Sequence, residues 1–470
     1  MKVDGTGAAA LTYTLVAGFQ RLNAFLLLPF VTHATTTDEY GQIALLVAVA
    51  GLTNVVLGFG LETPVYRAAL GLVQREAAEQ LRACALFLRI APVLVASACA
   101  GLLLTRAEWG AVPSRALALQ VLGCGLLVAA TLYPFARCRA GEQLGRYVAL
   151  ALTTSAVQLI LRYVFVVLME AGSIGWATAD IAAALVALPL GLVLAAMPKV
   201  DRLRAENLRQ PLKLGLPLVP HLVSHWVLAL SDRLVLAAFL PLTRVAVYAA
   251  AYQFASVAAV LLTEINRAVM PAYARTAKAP SPTTALRRIV TSHLSVSVTL
   301  LGLVATVSSM LIPLVLPPGY RQAGTLAPML AVALLPYVFY QPLANIRTLV
   351  RGQTRGLWLA SGSAAAVNIL TNLALVPVIG AWGAVAATFA AYAVLHTAMQ
   401  RVEMRSAHAA ALRRYPLLPG VVGPLFLALL ACGLSASSLG TAGAIAATAC
   451  VALGGLLSAR LVLRRPIGQS

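Results

Sequence analysis

The chain has 470 residues, of which 60% are hydrophobic and only 11% charged, with a mean hydropathy of +0.86. A water-soluble domain is usually about half apolar and a quarter charged, so a soluble fold is excluded. The net charge of +20 would suggest nucleic acid in a soluble protein, but the positions of the charges oppose that reading.

The apolar residues fall in blocks of about 20 or more, enough for a helix to cross ~30 Å of hydrocarbon. In chain order they read as 8–31, 41–61, 84–105, 116–136, 147–169, 174–197, 214–242, 245–267, 289–316, 324–346, 356–378, 381–400, 416–436 and 440–459. Helices are expected because a backbone in lipid must satisfy its own hydrogen bonds. A β-barrel would show short alternating segments instead. The first block is too long for a cleavable signal peptide, and only Lys2 precedes it as a basic residue. The expected class is therefore an all-α polytopic membrane protein with about fourteen crossings.

With the N-terminus placed in the cytoplasm, 27 of the 35 Lys and Arg residues fall on the inner side. The outer side holds Arg106, Arg115, Arg244 and Arg321, while Arg21, Arg89, Arg162 and Arg233 lie within blocks. This asymmetry follows the positive-inside rule, and one missed or invented helix would scramble it. Both termini are then cytoplasmic. The basic balance is a topology signal, helped by anionic lipid, and no nucleic-acid partner is expected. The six cysteines are scattered and none makes a CxxC pair, so they read as small apolar residues.

The longest charged stretch, Lys199 to Lys213, divides six blocks from eight. Across it runs an internal repeat. Gly172-Ser-Ile-Gly175-Trp-Ala-Thr-Ala179 aligns with Gly380-Ala-Trp-Gly383-Ala-Val-Ala-Ala387 at an offset of 208. Arg21 maps to Arg233, and Pro64-Val-Tyr66 to Pro271-Ala-Tyr273, at similar offsets. The expected organisation is an N-lobe over 1–197, a cytoplasmic basic linker over 198–213, a C-lobe over 214–403 and a C-terminal helix pair over 404–470. Two six-helix repeats share one orientation, so their symmetry axis runs along the membrane normal.

The stretch Ala366-Val-Asn368-Ile-Leu-Thr-Asn372-Leu-Ala-Leu-Val-Pro377-Val-Ile-Gly380-Ala-Trp-Gly383-Ala-Val-Ala-Ala-Thr388 resembles a signature of the polysaccharide-transporter branch of the multidrug/oligosaccharidyl-lipid/polysaccharide (MOP) superfamily. Leu214-Gly-Leu-Pro217, Ser231-Asp232-Arg233 and Val245-Ala-Val-Tyr248-Ala-Ala-Ala-Tyr252 fit the same pattern, with Val245 where that family tends to have Gly. The resemblance implies a MOP/MATE-like fold and a Wzx-type flippase. Such a protein moves an undecaprenyl-diphosphate-linked oligosaccharide by alternating access, for O-antigen, capsule or exopolysaccharide synthesis, in the cell inner membrane. A lipid-linked oligosaccharide and membrane lipids are the implied partners, with a polysaccharide polymerase and a chain-length regulator as further candidates.

The charges inside the blocks are the candidate site. A charge at membrane depth is costly and usually faces a bundle interior or cavity. Block 1 holds Gln20, Arg21 and Asn23, and block 7 holds Asp232 and Arg233. Neighbouring helix positions do not face each other, so Asp232 and Arg233 are not expected to pair. An arginine fork suits a pyrophosphate because it binds two oxygens at once, and Arg21 with Arg233 would flank a cleft between lobes. The competing reading is a structural ion pair. Arg162 with Gln158 makes an i,i+4 polar stripe open to either role. Asp180 is a candidate for proton or sodium coupling, set against helix packing. Glu264 is a weaker coupling candidate that also reads as an interfacial partner of Arg267. Arg89 is placed to snorkel, and Asn368 with Asn372 to hydrogen-bond between helices. His221 and His225 lack a third ligand, and no phosphate-binding glycine loop with a following Lys exists. No metal, cofactor or enzymatic activity is expected. Three alternatives stay open: a multidrug exporter of the same superfamily, a peptidoglycan lipid-precursor flippase, and a membrane polysaccharide polymerase or ligase, which would need a large outer loop.

Overall fold

The computed structural model describes residues 4–71, 77–194, 205–276, 282–354 and 356–403. The first twelve apolar blocks coincide with helical spans; the blocks 416–436 and 440–459, and residues 198–204 of the basic linker, lie outside the described residues. Among the described residues, eleven helical stretches from Thr37–Leu57 to Ala381–Glu403 are long and apolar enough to cross a membrane. The first block forms helix α1 (Asp4–Ala34).

Helix α2 (Thr37–Leu57) starts earlier than hydropathy suggests. Thr36 and Glu39 form a reciprocal cap, with the Thr36 N–H donating to Glu39 at 2.9 Å and the Glu39 N–H to Thr36 at 3.2 Å. That box satisfies donors that would otherwise be orphaned at the helix start. A short helix α3 (Glu62–Ala69) leads to α4 (Ala77–Leu103). Strands β1 (Glu108–Trp109) and β2 (Val112–Pro113) make a small ribbon in the next loop, with Trp109 opposite Val112. Helices α5 (Ser114–Ala140), α6 (Leu144–Arg162) and α7 (Gly172–Leu194) follow, and a π-helical turn over Tyr163–Leu168 extends α6.

Helix α8 (Ala205–Gly215) belongs to the linker. Its Leu208 and Leu212 pack on Leu61, Val65, Ala83 and Leu88 of α3, α4 and the turn before α3, the buried Leu208 contributing about 2 kcal/mol. Gln80 donates to Gln210 at 3.0 Å and Asn207 to Glu79 at 3.0 Å. Helix α9 (Val219–Phe239) comes after a 3₁₀ turn, Leu216–Leu218. Pro217 and Pro220 cause that tightening, since neither can donate to the helical ladder.

The chain divides into two compact units, the first ending at Ala246 and the second starting at Val247. In the first, α5 packs between α4 and α7, while α2 lies on α5 and α9. Gly51 of α2 admits Trp226 and Leu230 of α9, and the Trp226 indole donates to the Ala48 carbonyl at 2.9 Å.

Helix α10 (Leu242–Thr276) runs across the division, and α11 (Pro282–Val315) follows. Both outlast their apolar blocks, because a helix continues past hydrocarbon where polar residues can be hydrated. The tenth block is not one helix. It breaks into α12 (Ala323–Ala333) and α13 (Leu335–Asn345) at Leu334, where Pro336 lacks an N–H and crowds the preceding turn. A second π-helical turn, Ile346–Val350, ends this span. Helices α14 (Leu357–Ile379) and α15 (Ala381–Glu403) form a tight antiparallel pair, and α13 packs on α15.

The repeated Gly-x-x-Gly acquires a physical cause here. Gly172 and Gly380 both take positive φ, 51° and 61°, where an L side chain is strained. Three residues on, a Cβ on Gly175 would meet the Phe165 carbonyl at 3.0 Å, and one on Gly383 the Leu375 backbone at 2.6 Å. In both places the chain reverses and the new helix lies against the one before it.

Candidate functional site

Asp180 of α7 is 2% exposed and holds a polar network in the first unit. Its Oδ1 accepts from Arg162 Nη2 at 2.7 Å and from Gln158 Nε2 at 3.1 Å. Its Oδ2 accepts from Gln120 Nε2 at 2.7 Å. The i,i+4 spacing of Gln158 and Arg162 puts both on the α6 face toward α7. Trp176, one turn before Asp180, lies under the Arg162 guanidinium at 4.2 Å. Charge, hydrogen bonds and a ring face thus converge on one pair buried among apolar helices, the arrangement such a pair needs to offset desolvation.

Two polar atoms of this network have no partner among the described residues, Arg162 Nε and Gln120 Oε1. The sequence pointed to Arg162 and Asp180 separately, and the structure joins them. Gln120 was not singled out; its only signal is its position as a lone polar residue inside an apolar block.

In α1, Asn23 is buried and donates to the Ser155 carbonyl of α6 at 2.9 Å, while its Oδ1 has no partner among the described residues. Gln20 is half-buried. Arg21 lies in α1, with its side chain outside the described residues. In α9, Asp232 and Arg233 are each 3% exposed. Contrary to the expectation from neighbouring positions, they do pair, at 3.4 Å. The Asp232 carboxylate folds back onto the Arg233 backbone N–H at 2.8 Å, and Arg233 turns back along its helix to the Ala229 carbonyl at 3.1 Å. A long side chain can bend along its own helix where a short one cannot.

The remaining candidates are more ordinary. Glu264 and Arg267 form an i,i+3 pair at 2.9 Å, with Arg267 well exposed. Asn372 donates to the Asn368 carbonyl at 3.0 Å and to its Oδ1 at 3.2 Å, so these bonds run along α14 rather than between helices. Arg89 is half-buried on α4. His221 and His225 meet edge to face with ring centroids 4.7 Å apart. Among the described residues no three His, Cys, Asp or Glu side chains are grouped to hold a metal.

Two further clusters escaped the sequence. In the second unit the Tyr273 hydroxyl of α10 meets His293 Nδ1 of α11 at 3.2 Å, both fully buried. At the end of α15, Glu403 is completely buried and bonded to Arg347 and Arg351. Both arginines counted only as loop charges by position, and the signal that could have found them is a lone Glu at the end of an apolar block. The arrangement suits binding and charge compensation within membrane helices.

The chain is similar to the structure titled "Lipid II flippase MurJ, inward closed conformation", with a TM-score of 0.69 at 10% identity, covering 97% of this chain and 99% of that one. It is also similar to an inward-facing multidrug resistance MATE family transporter of the MOP superfamily, with a TM-score of 0.65 at 15% identity, covering 84% and 96%. A Vibrio cholerae MATE transporter matches with a TM-score of 0.57 at 16% identity, covering 86% and 99%. These likenesses establish the fold. No curated protein matches the chain. The family model described as "Polysaccharide biosynthesis protein" matches residues 35–323. The chain is thus a multi-pass membrane protein of MurJ- and MATE-like fold, and it belongs to the polysaccharide biosynthesis protein family.

Proposed function

We propose that this protein is a flippase. It carries an undecaprenyl-diphosphate-linked oligosaccharide from the inner to the outer face of the cytoplasmic membrane, for surface polysaccharide synthesis. The observation that carries this reading is the family match over residues 35–323. The likeness to a structure titled as a lipid II flippase supports the choice of a lipid-linked cargo. Transport proceeds by alternating access of two repeats, 1–197 and 214–403, with both termini cytoplasmic and the basic loops inside. A polysaccharide polymerase and a chain-length regulator are its candidate partners.

Arg21 and Arg233 bind the diphosphate through their forks. Asp232 holds Arg233 in place, and Gln20, Asn23 and Arg162 supply further polar contacts to the headgroup. Asp180 and Glu264 are the candidate coupling groups. Outward movement of an anionic headgroup runs with an inside-negative potential, gaining ~2.3 kcal/mol per charge per 100 mV.

The test is surface-glycan production in a strain lacking its chromosomal copy and supplied with variants. Arg21→Ala and Arg233→Ala should abolish surface glycan and build up the lipid-linked oligosaccharide inside, and Arg→Lys should rescue only partly. Undiminished glycan export in both alanine variants would sink the ligand role. The MATE-like structures favour one second reading, a multidrug exporter. A knockout with normal glycan and raised drug sensitivity would establish that instead.

A further inference from the structure

The two units differ sharply in charge. From Val247 onward the sequence holds sixteen Lys and Arg but only two acidic residues, Glu264 and Glu403. Glu264 is engaged by Arg267 on its own helix. Glu403 is shared: its Oε1 accepts from Arg347 Nη1 at 3.1 Å, and both its oxygens accept from Arg351 Nη1 at 3.1 Å. One negative charge therefore stands between two guanidinium groups.

These are not loose surface side chains. Arg347 is 7% exposed and Glu403 is wholly buried. Arg351 directly follows the π-helical turn Ile346–Val350 and keeps 23% of its side chain open. Its Nη1 is taken by Glu403, while its Nη2 and Nε have no protein acceptor among the described residues. The arginines close the membrane span Pro318–Val350, and Glu403 closes the span Ala381–Glu403. The cluster thus lies between helices where hydrocarbon gives way to lipid headgroups. Basic pockets at this level take anionic headgroups, and an arginine fork can hold two phosphate oxygens at once. A carboxylate locked between the two arginines orients the open fork beforehand, which reduces the ordering cost of binding.

We propose that Arg351, oriented by Glu403 beside Arg347, forms a binding site for a phosphate-bearing anion at this end of the second unit. The anion is a phosphate or phosphodiester, presented either by an anionic phospholipid or by a soluble or lipid-linked diphosphate. The proposal uses neither Arg21 nor Arg233 and stands whether or not the flippase reading holds.

The test uses the full chain in nanodiscs of phosphatidylcholine, alone, with phosphatidylglycerol, or with soluble inorganic pyrophosphate. Lipid retained on the protein and the thermal midpoint are read together. Wild type should retain phosphatidylglycerol and gain stability from it, and Arg351→Gln should weaken that binding about tenfold. Lys213→Gln, an exposed basic residue of the first unit, should behave as wild type. Stabilisation by pyrophosphate in phosphatidylcholine assigns the site to a diphosphate, and stabilisation by phosphatidylglycerol alone assigns it to a resident lipid. Glu403→Gln separates binding from folding. It should lower the midpoint in phosphatidylcholine yet bind the anion at least as tightly, because the amide oxygen still accepts from Arg351 and keeps its fork oriented while a repelling charge is removed. The proposal is overturned if Arg351→Gln binds both anions as wild type does, or if Glu403→Gln weakens binding as Arg351→Gln does.

Discussion

Asp180 and Glu403 are both buried carboxylates on membrane helices, and each is held by an arginine at a π-helical turn. Wide turns of this kind recur at functional positions in membrane and soluble proteins alike. The two sites differ in how charge is balanced. Asp180 meets one arginine and completes its hydrogen bonding with two neutral glutamines. Glu403 meets two arginines and no neutral donor among its described bonds. The first arrangement is neutral and closed over by Trp176. The second brings two guanidinium groups to one carboxylate and leaves the Arg351 fork partly open. A neutral closed pair ties α6 to α7 whatever further part it takes in transport, while a paired arginine cluster with one open fork is suited to attract an anion. The same residue types, arginine and a carboxylate, thus support two different roles according to their count and exposure.

Thermal unfolding of purified variants in one detergent can break this comparison. The largest effect is expected from Arg162→Ala, which leaves Asp180 charged and facing only glutamines. A broken buried pair costs about 3–5 kcal/mol, so the midpoint should fall steeply, and Arg162→Met with Asp180→Asn should recover much of it. Arg347→Ala should cost less, about 1–3 kcal/mol, because Arg351 still neutralises Glu403. An Arg347→Ala loss as large as that of Arg162→Ala would show that the second arginine does not compensate. Gln120→Leu should cost about 1 kcal/mol or less. It removes a bond to Asp180 but also removes the unpartnered Oε1. The smallest change is expected from Glu264→Gln, below about 1 kcal/mol, because its partner Arg267 is largely solvated. A larger loss there would mean that Glu264 has a role beyond the i,i+3 pair.

Much of this architecture was legible before any coordinates. Hydrocarbon thickness sets the length of each block, and the blocks from 8–31 to 381–400 recur as helical spans. The edges were less legible, because they are set by local chemistry: the Thr36–Glu39 cap, the Pro336 break and the Pro217–Pro220 turn. The charged positions inside the blocks were also visible, since arginine and aspartate at membrane depth stand out against alanine and leucine. Their partners were not. Arg162 and Asp180 are on different helices, and Gln120 on a third. Arg347 and Glu403 are 56 residues apart. Nothing local in the sequence distinguishes a loop arginine from one folded under a neighbouring helix.

The sequence by itself determined that the chain spans a membrane many times, where its helices run, and that its Gly-x-x-Gly turns repeat. These are properties of short stretches, governed by transfer free energy and backbone geometry, and each stretch carries its own answer. Only the tertiary structure decided which charges neutralise one another. In lipid a polar side chain must find its partner on another helix or along its own, and that choice depends on helix packing rather than on sequence neighbours. That is why Asp232 and Arg233, adjacent in sequence, had to be seen to be known as a pair, and why Glu403 was recognised as a shared partner of two arginines only once α15 was folded against α13.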